Sequence, residues 1–144
     1  MAIAISKVDV WAGDIEDRAG ALASKLEALS EAGANLEFVI ARRAPERPGT
    51  GVVFLAPLSG AAQTKAAASV GLSKAVGMHS LRLEGPNRPG FSAKIGRAIA
   101  DAGINVRGVS AAAIGRRCVV YFAFDSDADA SKAGLVLKKA FGAK

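Results

Sequence analysis

The sequence predicts an α+β chain made of two copies of one small βαββαβ unit. Three observations predict it. The chain repeats itself, the two halves carry the same order of hydrophobic periods, and 144 residues leave room for two units of about 70 residues each. Shifted by 70 positions, Asp17-Arg18-Ala19-Gly20 falls on Asn87-Arg88-Pro89-Gly90, and Ala32-Gly33-Ala34-Asn35-Leu36 falls on Ala102-Gly103-Ile104-Asn105-Val106. Further on the shift is 67. Val52-Val53-Phe54-Leu55-Ala56 then matches Val119-Val120-Tyr121-Phe122-Ala123, and Thr64-Lys65-Ala66 matches Ser131-Lys132-Ala133. The three lost residues fall in a hairpin that is long and proline-rich at 44–49 and tight around Gly115, a place where length change is tolerated.

The elements follow in order. A strand is expected from Ile3 to Trp11, then a helix whose apolar stripe is Leu22, Leu26 and Leu29. Strands at Asn35–Arg43 and Thr50–Leu55 follow, then an alanine-rich helix from Gly60 to about Val70. The second copy begins with a strand at His79–Leu83. Phe91, Ile95, Ile99 and Ala102 then mark one helical face, with Pro89 placed in the first turn and Gly103 as the C-cap. Strands at Asn105–Ala113 and Arg117–Phe124 lead to a helix opened by Ser126-Asp127 and reaching about Phe141. This order is ferredoxin-like, an antiparallel sheet with helices on one face, twice in tandem and divided as 1–73 and 74–144. The fourth strands are the thin part of the reading. The first copy has only Gly71–Val76 for its own, the second only Gly142–Lys144, which leaves an edge for a partner copy or the long N-terminal strand to cover.

Composition narrows the function. No run approaches the roughly 20 apolar residues of a membrane span, and Met1–Val10 lacks the basic leader of a signal peptide, so a cytoplasmic protein is expected. Cys118 is the single cysteine and His79 the single histidine, so no His/Cys metal cluster can form, and Cys118 is expected to pack in its strand. The net charge of +6 leaves nucleic acid open, but the basic residues are scattered in pairs, which favours solvated faces. Gly85–Ser92 mimics a phosphate loop with Phe91 where the lysine belongs, and no serine has a base beside it. Neither a nucleotide cofactor nor catalysis is expected.

The two repeated motifs resemble those of the ACT domain family, nearly complete in Asn87-Arg88-Pro89-Gly90-Phe91 with Ala102-Gly103-Ile104-Asn105-Val106. The first copy departs from the pattern by Ala19 for proline and Ala34 for isoleucine. The resemblance implies a non-catalytic regulatory protein that binds an amino acid between copies, as a homodimer or with a partner enzyme. It places the ligand at Asn87, Arg88, Pro89, Gly90, Phe91, Asn105 and Val106 in one copy and Asp17, Arg18, Ala19, Gly20, Ala21, Asn35 and Leu36 in the other. The chemistry suits that role. A helix start offers N–H groups and partial positive charge to a carboxylate, the glycines bar no approach, and an asparagine amide both donates and accepts. Two alternatives stand beside it. One is a ligand-free interaction module, a regulatory subunit or a repressor. The other is RNA binding on the open sheet face, for which Tyr121 alone is a poor platform.

Overall fold

A computed structural model describes residues 2–142. The periods settle into eight strands and four helices: β1 (Ala4–Val8), β2 (Trp11–Glu16), α1 (Ala21–Glu31), β3 (Phe38–Arg43), β4 (Thr50–Ala56), α2 (Gly60–Ser69), β5 (Ser73–Lys74), β6 (His79–Pro86), α3 (Phe91–Asp101), β7 (Gly108–Ile114), β8 (Arg117–Phe124) and α4 (Asp127–Phe141). Two four-stranded antiparallel sheets result, ordered β3-β4-β2-β5 and β1-β6-β8-β7. Each is the ferredoxin-like order expected of a βαββαβ unit.

The units do not divide at residue 73. Asp9–Ala75 forms one, and the described residues before Asp9 and after Ala75 form the other. The single strand expected from Ile3 to Trp11 is broken at Asp9-Val10. Its first part, β1, lies in the second sheet beside β6, while the first unit opens with β2. α4 runs 15 residues where α2 runs 10, and the edge that β5 fills in the first sheet is filled by β1 in the second. In the first unit the edge is the two-residue β5, inside the stretch expected for it. For the second, Ala143 and Lys144 of the expected stretch lie outside the described residues.

The repeat extends to this swap. Ser73 and Lys74 pair with Ala12 and Trp11, and Ser6 and Lys7 pair with Arg82 and Leu81, the same two positions 70 residues on. Ile5-Ser6-Lys7 therefore matches Leu72-Ser73-Lys74 at the shift of 67, with Ile5 and Leu72 both buried. Alternation explains the choice of face, since residues two apart point the same way and Ile5 aligns with Leu83 over the core.

The two cores differ in size. The second unit buries fourteen residues in its apolar cluster, with Phe122, Phe124, Leu81 and Leu83 from the sheet meeting Phe91, Ile95, Ile99 and Leu137 from the helices. The first buries six: Trp11, Leu29, Val53, Leu55, Ala67 and Leu72. Leu22 and Leu26 pack against that cluster only partly buried. Cys118 is buried and free, as its strand position predicts.

Candidate functional site

The loops that open α1 and α3 have the same backbone. Gly20 and Gly90 precede the helices with φ of 89° and 83°, the left-handed region that a Cβ disfavours. In both loops the first helical amide bends back to the arginine carbonyl, Ala21 N–H to Arg18 at 3.4 Å and Phe91 N–H to Arg88 at 3.3 Å. No side chain caps either helix. The contrast is α4, where the Ser126 hydroxyl accepts from the Asp129 amide at 3.0 Å. Space around Gly90 is open, with nothing within 4 Å of an added Cβ, so its glycine is demanded by φ and not by a close neighbour. Pro89 lies two residues ahead of the first helical residue, in the turn, and not in the first helical turn as expected.

Side chains tie each loop to the neighbouring hairpin. Asp17 N–H donates to the Gly49 carbonyl at 3.1 Å, and Asn87 N–H to the Arg116 carbonyl at 2.8 Å. Asn87 Nδ2 also donates to the Gly115 carbonyl at 3.0 Å, while the Asp17 carboxylate pairs with Arg43 at 2.6 Å. That carboxylate holds the Arg43 guanidinium above its ordinary range, first by hydrogen bonding and then by charge. Arg18 pairs with Glu16, and its hydrogen bond, then its charge, lower the Glu16 carboxyl below the usual value. The Arg88 side chain makes no hydrogen bond or ion pair among the described residues. Ala19 and Pro89 are exposed, whereas Ala21 and Phe91 are buried. Phe91 is a core residue, its ring 5.3 Å from that of Phe141, and it meets the loop from below.

Asn35, Leu36, Asn105 and Val106 stand at the other end of the first helix of each unit. Eleven helical residues separate them from the loops, roughly 16 Å of rise. Within one unit the structure therefore does not bring the loop and the asparagine together. Asn35 and Asn105 are exposed, and neither side chain makes a hydrogen bond among the described residues, so the turn-satisfying role open to asparagine is not in use. Leu36 and Val106 are half-buried against their cores.

Each loop borders a groove whose far wall the sequence analysis missed. In the second unit Asn87, Arg88 and Ser92 face Ala111, Ala112 and Ala113, in a space of about 150 Å³. In the first, Asp17, Arg18 and Leu22 face Ala41, Arg42 and Arg43, in about 300 Å³. The walls correspond at the shift of 70, so the repeat itself held the signal. The grooves differ in charge, the first carrying two arginines where the second carries alanines. Among the described residues no cluster of His, Cys, Asp or Glu could hold a metal, and no helix is long and apolar enough to cross a membrane. Tyr121 is buried at 7% exposure and offers no surface to a nucleic-acid base.

Comparison with known proteins fits this architecture. The ACT domain family model matches residues 79–140. No curated protein sequence matches the chain. Among solved structures, a Bacteroides thetaiotaomicron protein superimposes with a TM-score of 0.79 at 17% identity, over 94% of this chain and 89% of its own. The ligand-free regulatory subunit of aspartate kinase from Thermus thermophilus gives 0.65 at 18% identity, covering 98% and 97%. Escherichia coli aspartokinase III, in complex with aspartate and ADP, gives 0.61 at 12% identity, covering 98% of this chain and 33% of the enzyme. The ACT domain match over residues 79–140 thus falls on the second unit, and the first unit has the same strand order.

Proposed function

We propose that the chain is a non-catalytic regulatory protein that binds a small amino acid at the loops opening α1 and α3. The observation that carries this reading is the pair of uncapped helix starts, built alike in both repeats. Unpaired N–H groups and the helix dipole favour a carboxylate there by a few tenths to about 1 kcal/mol at an exposed site. Asn35 and Asn105, exposed and without partners, supply the second half of the site from another copy of the unit, since 16 Å or so of helix keeps them from their own loop. The ligand then bridges copies and biases their packing, which is how concentration becomes a signal. Support also comes from the structural neighbours, a regulatory subunit of aspartate kinase among them.

In this reading the protein acts as a homodimer or on a partner enzyme. The edge strand β7, Gly108–Ile114, bears no charge and exposes Val109 and Ile114 at 61% and 82%, a surface suited to a second chain. The same edge supports the ligand-free interaction module as a second reading. Calorimetric titration with each of the twenty amino acids separates the two. The sensor binds at least one, with a rise in melting temperature, whereas the interaction module binds none.

A further inference from the structure

The repeat reveals one place where the two units part company. Where the second unit buries Phe91, Ile95 and Leu137 at 4, 1 and 0% exposure, the first carries Ala21, Lys25 and Val70 at the matching positions. The floor is exchanged in the opposite sense, Gly85 and Cys118 in the second unit against Ile15 and Gly51 in the first. A Cβ on Gly85 would lie 2.6 Å from the Phe91 ring, and one on Gly51 would lie 3.0 Å from Ile15 Cγ2. In the second unit, then, a ring lies across a glycine, packs on Phe141 at 5.3 Å, and Lys94 sits 4.8 Å over the Phe141 ring. In the first, Ile15 lies across the glycine, α2 ends at Ser69, and Ala21 and Lys74 stand at the positions of the two rings. A cavity of about 410 Å³, open to solvent, results, lined by the apolar Ile15, Ala21 and Val70 and by the charged Asp14, Glu16, Arg18 and Lys25. The Lys25 ammonium donates to the Val70 carbonyl, which holds it at the mouth.

We propose that this cavity of the first unit receives the side chain of a large apolar amino acid, aromatic or branched aliphatic. The inference rests on the amino-acid-sensing reading and adds to it the ligand class and the unit that selects it. The second unit supplies the measure of the occupant, because the matching space there is filled by phenylalanine. The rim carries both signs, and a bound amino acid exchanges the Arg18–Glu16 pair for its own groups, its carboxylate meeting Arg18 and Lys25 and its ammonium group meeting Glu16. Ring burial supplies the affinity, and the rim fixes orientation.

The test is calorimetry of the full chain with L-phenylalanine and L-leucine, and with L-aspartate and glycine as ligands lacking the apolar group. Phenylalanine or leucine binds, and aspartate and glycine bind at least tenfold more weakly. The Ile15→Gly/Ala21→Phe variant transplants the second unit's plug and lowers the affinity for phenylalanine or leucine at least tenfold. Ala21→Leu, a smaller plug, lowers it in the same direction and serves where circular dichroism shows the double variant unfolded. An amino acid that binds both plugged variants as tightly as the unaltered chain overturns this inference and leaves the sensor reading standing, as does a preference for aspartate or glycine. Binding of none of the twenty amino acids overturns both.

Discussion

Gly20 and Gly90 illustrate how one residue type can be demanded for a reason other than the obvious one. A glycine at a suspected binding loop invites the argument of close approach, yet the space in front of Gly90 is empty and the constraint is its φ of 83°. Gly90→Ala should therefore destabilise the protein by about 1–2 kcal/mol in urea denaturation, the usual cost of a Cβ in the left-handed region. Gly96, inside α3 with open space around it, is the control, and Gly96→Ala should stabilise by about 0.5–1 kcal/mol. A second residue-scale expectation concerns Asp127, which pairs with Lys7 at 2.9 Å and so pins β1 to the start of α4. The hydrogen bond from Lys7, then its charge, hold the Asp127 carboxyl below its ordinary range. A lowered carboxyl stabilises the fold above the ordinary carboxylate range, and that contribution fades as pH falls through the lowered value. Asp127→Asn should thus reduce stability slightly at neutral pH and leave it unchanged in strong acid, as paired denaturation curves at the two pH values will report.

At the scale of elements, strands and helices that belong to one period were readable, and those set by the whole sheet were not. The stripe Phe91, Ile95, Ile99 names α3 because each residue is buried on one face. Residues 105–107 read as strand by composition, but the ladder begins at Gly108, although Arg107 N–H already donates to the Ala123 carbonyl of β8 at 2.8 Å. The break at Asp9-Val10 was harder, since both sides of it alternate well and the choice of sheet depends on partners far along the chain, β6 for β1 and β4 for β2. The repeated Ser-Lys of β1 and β5 was the clue, too short to weigh on its own. Because β1 belongs to the second unit, Ile5→Ala should cost about 2–5 kcal/mol, the usual range for a buried isoleucine. Hydrogen exchange should then quicken in β6 and β8, with β2 and β4 unchanged.

For the molecule as a whole, the duplicated plan was legible and its unequal execution was not. The loops and the asparagines were found from their repetition, but the groove walls at 41–43 and 111–113 lie far along the chain and join the loops only through sheet pairing. The first unit buries six core residues to the second unit's fourteen, so its amides should open at a lower free energy in native-state hydrogen exchange. That lower stability suits the unit in which a cavity replaces buried rings, because a ligand there restores apolar contact and raises the apparent stability with its concentration. The most direct measurement for the central claim is amide chemical-shift mapping of the full chain with its tightest-binding amino acid. The account predicts that shifts concentrate at the starts of α1 or α3, over 20–24 or 90–94, together with Asn35 or Asn105. Shifts confined elsewhere, with both helix starts unmoved at saturation, would contradict it.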